Sequence, residues 1–122
     1  MNHTEANLSE AYVLAWAGAG DESYSWASDE LDSLVWQQPE RAWTIILLIV
    51  ERGAPREVLA ILAAGPLENL LREHGPAFIA RVEEQSRRDS RFREVLADVY
   101  PLACRSSEIR ERIRHIVGSE PP

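Results

Sequence analysis

Apolar residues along the chain recur three and four positions apart, the spacing that places them on one face of an α-helix. Leu8, Tyr12, Ala15 and Trp16 form the first such stripe, and Trp26, Leu31, Leu34 and Val35 the second. Asn7, with Glu10 three residues on, reads as the cap of the first helix, which ends at Gly18-Ala19-Gly20. An acidic, serine-containing loop over residues 21–25 follows. Ser25 or Ser28 caps the second helix, with Asp29 and Glu30 near its positive end. Pro39 suits the first turn of a third helix that runs to about Arg52 and is apolar nearly all round from Ala42 to Val50. Such a helix is surrounded by others on most sides. The β-branched run from Thr44 to Val50 admits a strand, but it does not alternate and its flanks are helical. Helix is therefore the better reading, and this one is the centre of the core.

The second half continues in shorter pieces. Val58, Leu59 and Leu62 follow Pro55; Leu67, Leu70 and Leu71 lie between the pairs Gly65-Pro66 and Gly75-Pro76; Phe78, Ile79 and Val82 come next. Each Gly-Pro pair predicts a helix end and a corner, because glycine tolerates the backbone just past a helix and proline suits the start of the next. Asp89 caps a helix bearing Phe92, Val95, Leu96, Val99 and Tyr100, which Pro101 stops. Ser106 or Ser107 starts the last helix, with Ile109, Ile113, Ile116 and Val117 as a narrow stripe. No stretch alternates as a strand does. The expected fold is all-α, a compact bundle or a short α-solenoid-like stack of about seven to eight short helices. It forms one domain over residues 1–122, frayed at 1–6 and 119–122.

Charge sharpens this picture. The chain carries −7 overall, but residues 1–40 hold eight acids and no Lys or Arg. Residues 41–80 balance, residues 81–122 carry +1, and every basic residue is Arg. An acidic chain lacks the positive surface that nucleic-acid binding requires. The longest apolar run, Ile45 to Val50, is far too short to cross a membrane. The N-terminus has no secretory pattern, and a single cysteine, Cys104, suits a reducing compartment; a soluble cytoplasmic protein is expected.

The pattern Pro39-Glu40…Trp43, then Gly65-Pro66-Leu67-Glu68…Leu70-Leu71…His74-Gly75, Ile79 and Glu83, and finally Asp89…Phe92-Arg93…Leu96 resembles a family of small bacterial proteins catalogued only as a domain of unknown function. The resemblance covers roughly residues 26–100 and leaves the last helix outside. It implies an all-helical fold and brings no activity, cofactor or catalytic residue. Proteins of this size and type often accompany bacterial toxin systems as immunity or accessory proteins.

Catalytic motifs are nearly absent: there is no phosphate-binding glycine loop, no nucleophile elbow, no metalloprotease helix and no cysteine pair for zinc. The nearest approach is a polar group at Glu68, Asn69 and His74, with Glu83 on the next helix. Glu68 and His74 lie about 240° apart on one helix and converge only if it breaks. Helix-end chemistry accounts for both: Glu68 in a first turn, His74 beside the last carbonyls. Glu83 has Arg56 or Arg72 as expected partners. Cys104 has no His or second Cys near it and reads as a passive thiol. Trp43 belongs to the core. The sequence thus leans away from an enzyme, with no cofactor or metal. It favours an interaction module, of immunity or inhibitor type, that meets a basic protein through Asp21, Glu22, Asp29, Glu30 and Asp32, with Trp26 and Trp36 as anchors. An enzyme or metal site at Glu68, Asn69 and His74 is the alternative, and a homodimer through the last helix stays open.

Overall fold

A computed structural model describes residues 4–18, 20–99 and 104–118. Tyr100 and Pro101, and the expected frayed ends at 1–3 and 119–122, lie outside these. Helices α1 (Glu5–Trp16), α2 (Ser25–Gln37) and α3 (Pro39–Glu51) pack against one another. Helix α4 (Arg56–Leu62) leads through a π turn (Ala63–Leu67) into α5 (Glu68–Arg88), followed by α6 (Ser90–Ala97) and α7 (Ser107–Gly118). Helices α5, α6 and α7 form a second mutually packed trio. Among the described residues there is no strand. Contacts such as α2 with α5 and α3 with α6 skip neighbours in the chain, so the arrangement is a bundle rather than a solenoid.

Helix α3 is the centre, as its apolar surface predicts. Ala42, Trp43, Ile45, Ile46, Ile49 and Val50 are buried, and Leu47 and Leu48 half-buried. It touches α1, α2, α4, α5, α6 and the π turn. Thr44, on its exposed side, returns its hydroxyl to the Glu40 carbonyl at 3.2 Å. The Trp43 ring stands edge-on to Phe92 of α6 at 5.6 Å and tilted against Phe78 of α5 at 6.0 Å. At its C-terminal end Arg52 Nε donates to Ser9 Oγ at 2.9 Å and its guanidinium to Ala6 O at 3.1 Å, fastening α1 to α3.

Several element starts differ from expectation. Thr4, not Asn7, caps α1: its hydroxyl oxygen accepts the Asn7 N–H at 3.0 Å, so residues 4–6 are ordered rather than frayed. Neither Ser25 nor Ser28 caps α2. Asp21 caps a 3-10 turn (Glu22–Tyr24) that runs straight into it, taking the Ser23 N–H at 3.0 Å. A side chain two residues before a turn does the capping work that serine does in the simpler pattern. Asp89 and Ser106 cap α6 and α7 as expected, accepting the N–H groups of Arg91 and Ile109.

The larger correction concerns the first Gly-Pro pair, which makes no corner: α4 continues through it into α5. The second pair does mark a junction between two helical segments, as expected, in the form of a kink within α5. At Gly65-Pro66 the run widens into the π turn, where the Glu68 N–H reaches back to Ala63 O. The wider turn makes room for a ring that would otherwise strike the carbonyl four residues back. At Gly75-Pro76 the break falls one residue earlier, at His74, whose φ of −131° and ψ of 21° leave the helical range. A glycine before proline lacks the Cβ that normally clashes with the proline ring and drives the chain out of helix.

Gly75 has a second duty. A Cβ there would lie 3.3 Å from Ile109 Cγ1 and 3.4 Å from Cγ2, so the bare backbone lets α7 dock. The stripe of α7 that could have served a homodimer packs inside the molecule: Ile109 and Ile113 are buried, and Ile116 and Val117 lie against the core. Gly75→Val is expected to destabilise the fold by about 1–3 kcal/mol through overpacking against Ile109, measured by urea denaturation. An unchanged midpoint would show that α7 can shift freely.

Candidate functional site

The sequence named two candidate groups, and the structure treats them differently. Glu68, Asn69 and His74 all lie half-buried on α5. His74 Nε2–H donates to Val35 O, in the last turn of α2, at 2.8 Å. Histidine thus answers a helix-end carbonyl as expected, but that of another helix. The charge of Glu68 acts on the opposite neighbour, Cys104. Glu83 pairs with neither Arg56 nor Arg72. Arg112 of α7 grips it with two nitrogens, Nε at 3.0 Å and Nη2, because the α7 stripe brings that arginine over α5. These hydrogen bonds hold the Glu83 carboxyl below its ordinary value. Cys104 is buried, and burial, then the charge of Glu68, pushes its thiol up, the reverse of activation. Among the described residues no cluster of three or more His, Cys, Asp or Glu side chains could hold a metal ion.

The acidic third forms a surface. Helix α2 turns Ala27, Leu31, Leu34 and Val35 inward. At 100° per residue Asp29, Asp32 and Trp36 then fall within about 60° of one another on its outer side, with Glu30 flanking. Trp36 is 57% exposed, whereas Trp26 is half-buried against the core. The described large hydrophobic residues that are exposed are Trp36, Trp16 and Leu14, and all belong to residues 1–40. Glu10, Asp21, Glu22, Asp29, Glu30 and Asp32 enter no ion pair among the described residues. The acids that find arginines here are Glu5, bonded to Arg41 at 2.6 Å, and Glu40, whose Oε1 receives Arg81 Nη2 at 2.8 Å.

At one end this surface folds into a groove of about 720 Å³, lined by Trp16, Asp21, Glu22, Asp29, Glu57 and Ile61 among others. Its wall depends on Gly20, held at φ +77°, where a Cβ would come within 2.9 Å of Ala15 O. The loop thereby doubles back, and the Asp21 N–H reaches Ala15 O at 3.3 Å. Hydrogen bonds from the Ser23 hydroxyl and N–H keep the Asp21 carboxyl below its usual range. Trp16 and Glu57 were not among the expected site residues. Glu57 comes from a charge-balanced segment and joins the groove because α4 packs on α1, with Glu57 Oε1 accepting the Gly18 N–H at 3.5 Å. A second cleft of about 560 Å³, beside the turn at Gly53, mixes Arg56 and Arg91 with Glu94 and Asp98. Arg91 is already bonded there to Val50 O at 3.3 Å.

An all-helical bundle whose acidic first third carries the exposed aromatic residues is the class of protein these features define. The chain belongs to a family of unknown function, DUF6869, whose sequence profile matches residues 17–120 and so includes α7, which the narrower sequence resemblance left out. No curated protein matches the chain, and no solved structure does.

Unpaired like charges leave a trace in the free protein. Burial, then the nearby Asp29, raises the carboxyl of Asp32 above its ordinary value. Burial raises the Tyr12 hydroxyl, with the charge of Asp32 adding to it. A carboxyl raised on folding binds its proton more tightly in the folded state, so stability falls as pH rises through its titration. Asp32→Asn is therefore expected to gain about 0.2–0.5 kcal/mol at pH 7, the scale of one relieved like-charge pair. The gain should vanish near pH 3, where the aspartate is protonated folded and unfolded. Urea titrations at the two pH values check this; a loss at pH 7 would contradict it.

Proposed function

We propose that this is a non-enzymatic protein–protein interaction module that binds a basic protein partner through its acidic N-terminal third. The observation that carries this reading is the coincidence of two surplus features in one third of the chain. The exposed Trp36, Trp16 and Leu14 all fall in the third of the chain that holds eight acids and no base, and most of those acids lack an internal partner among the described residues. Exposed aromatics with nothing to pack against supply binding energy when covered, and carboxylates around them steer and orient a cationic surface. A partner arginine over the Trp36 face would gain from both, through the ring and the carboxylates of Asp29 and Asp32.

A small protein of this kind acts by covering its partner. If the covered surface is one that handles a polyanion, the outcome is inhibition, which makes an immunity- or inhibitor-type role the natural form of the proposal. A cytoplasmic setting, with no role for nucleic acid or membrane, fits the charge and the buried thiol. No helix among the described residues is long and apolar enough to cross a membrane.

The test is capture of a native partner by the wild type and by two variants, Asp29→Asn/Glu30→Gln/Asp32→Asn and Trp36→Ala. The triple variant is expected to lower affinity at least tenfold and flatten its dependence on salt, and Trp36→Ala to lower it tenfold or more with the salt dependence kept. A partner held equally well by all three proteins would remove this face from the function.

A further inference from the structure

The second helical trio holds a feature that this reading does not use. Helices α5, α6 and α7 border an open pocket of about 220 Å³ lined by Glu83, Ser86, Arg87, Arg93, His115 and Ile116. We propose that this pocket binds a tetrahedral oxyanion, a phosphate group either free or at the end of a small monoester.

Three observations point there. The first is Arg93. Arginines 41, 72, 110 and 112 are half-buried like it, and each has an oxygen partner: Glu5, Glu73, the Cys104 carbonyl and Glu83. Arg93 forms no side-chain ion pair or hydrogen bond among the described residues. A guanidinium drawn partly out of water and left without an acceptor is costly, and its planar fork suits two oxygens of one phosphate.

The second is Ser86. It is 6% exposed, and its hydroxyl has no hydrogen-bond partner. A serine inside a helix commonly returns its hydroxyl to the carbonyl one turn back, and Ser86 does not. Buried hydroxyls left unmatched are rare enough to call for an explanation. A ligand oxygen would accept from it.

The third is the sign of the local field. Glu83 is the one carboxylate lining the pocket, and its charge is already answered by the two-nitrogen grip of Arg112. The charges of Arg87 and His115 also favour its ionised form, and Arg93 adds a further cation to the same lining. Arg87 is bonded at 3.1 Å to Glu84, an exposed pair that yields little in water and is readily exchanged for a doubly charged anion. The volume corresponds to roughly seven liquid waters, enough for a tetrahedral oxyanion.

The experiment is a titration of the full chain with inorganic phosphate at constant ionic strength, with chloride as the control. Backbone amide resonances of Ser86, Arg87 and Arg93 report binding. Saturable shifts confined to the pocket are expected with phosphate and not with chloride. Arg93→Gln should weaken binding at least tenfold, the scale of one charge-assisted hydrogen bond, and Ser86→Ala several-fold. Arg81→Gln, which removes an arginine bonded to Glu40 away from the pocket, should leave it unchanged. Should Arg93→Gln not fold, Arg87→Gln takes its place with the same expectation. Tighter binding of glycerol phosphate than of phosphate would assign an esterified ligand, and equal binding free phosphate. No saturable shift with either, an equal response to chloride, or undiminished binding by the folded arginine variant would overturn the proposal.

Discussion

Everything else in this structure answers the need to bury helix α3. A helix with Ala42, Trp43, Ile45, Ile46, Ile49 and Val50 around its circumference cannot sit on a surface, so α1 and α2 cover one side and the helical run after residue 55 the other. Trp43 makes this burial directional. Its contacts with Phe78 and Phe92 join the first helical trio to the second through aromatic faces and edges. Truncating a buried aromatic of this size typically costs about 3–5 kcal/mol, a large part of the roughly 5–15 kcal/mol that holds a small domain together. Loss of that junction would therefore threaten the whole fold rather than one half of it.

The fold class, the central helix and the caps at Asp89 and Ser106 were legible because each rests on local rules that no tertiary contact opposed. The continuous path through the first Gly-Pro pair was not, nor was what holds the kink at the second, and the reason is specific. Helix-breaking is what proline does when nothing else acts on the chain. Here Pro66 and Leu67 are buried in the core, which favours continuing through a widened turn. At the second pair, the His74 bond to Val35 O and the docking of Ile109 on Gly75 fix a bent helix in place. Both contacts link residues more than thirty positions apart, beyond the reach of any pattern along the chain.

The candidate surface was legible in part for the same reason. A charge of −8 over forty residues is visible in composition, and the Asp29, Asp32 and Trp36 stripe follows from helical spacing. Which tryptophan stays exposed does not. Trp26 lies about 80° from Trp36 around α2, nearer the buried side, and the core takes it. Trp16 escapes because α1 ends there and the chain turns away over Gly18 and Gly20. Glu57 joins the groove only through the packing of α4 on α1.

Charge pairing is denser in the second half of the molecule than on the outer side of α2. In the second half Glu73, Glu83, Glu84, Glu108 and Glu111 each meet an arginine. The acids on the outer side of α2 meet none among the described residues, and Asp32 is raised by burial and, less, by Asp29. Exposed ion pairs are worth so little that stability alone gives no strong reason for either pattern. Segregation does have a physical consequence for association. An approaching cation relieves the Asp29–Asp32 repulsion that the isolated protein carries, so part of the binding free energy is already present as strain between like charges. Under the proposed reading, the carboxylates around Trp36 would gain more from a basic partner than the same number of internally paired acids could.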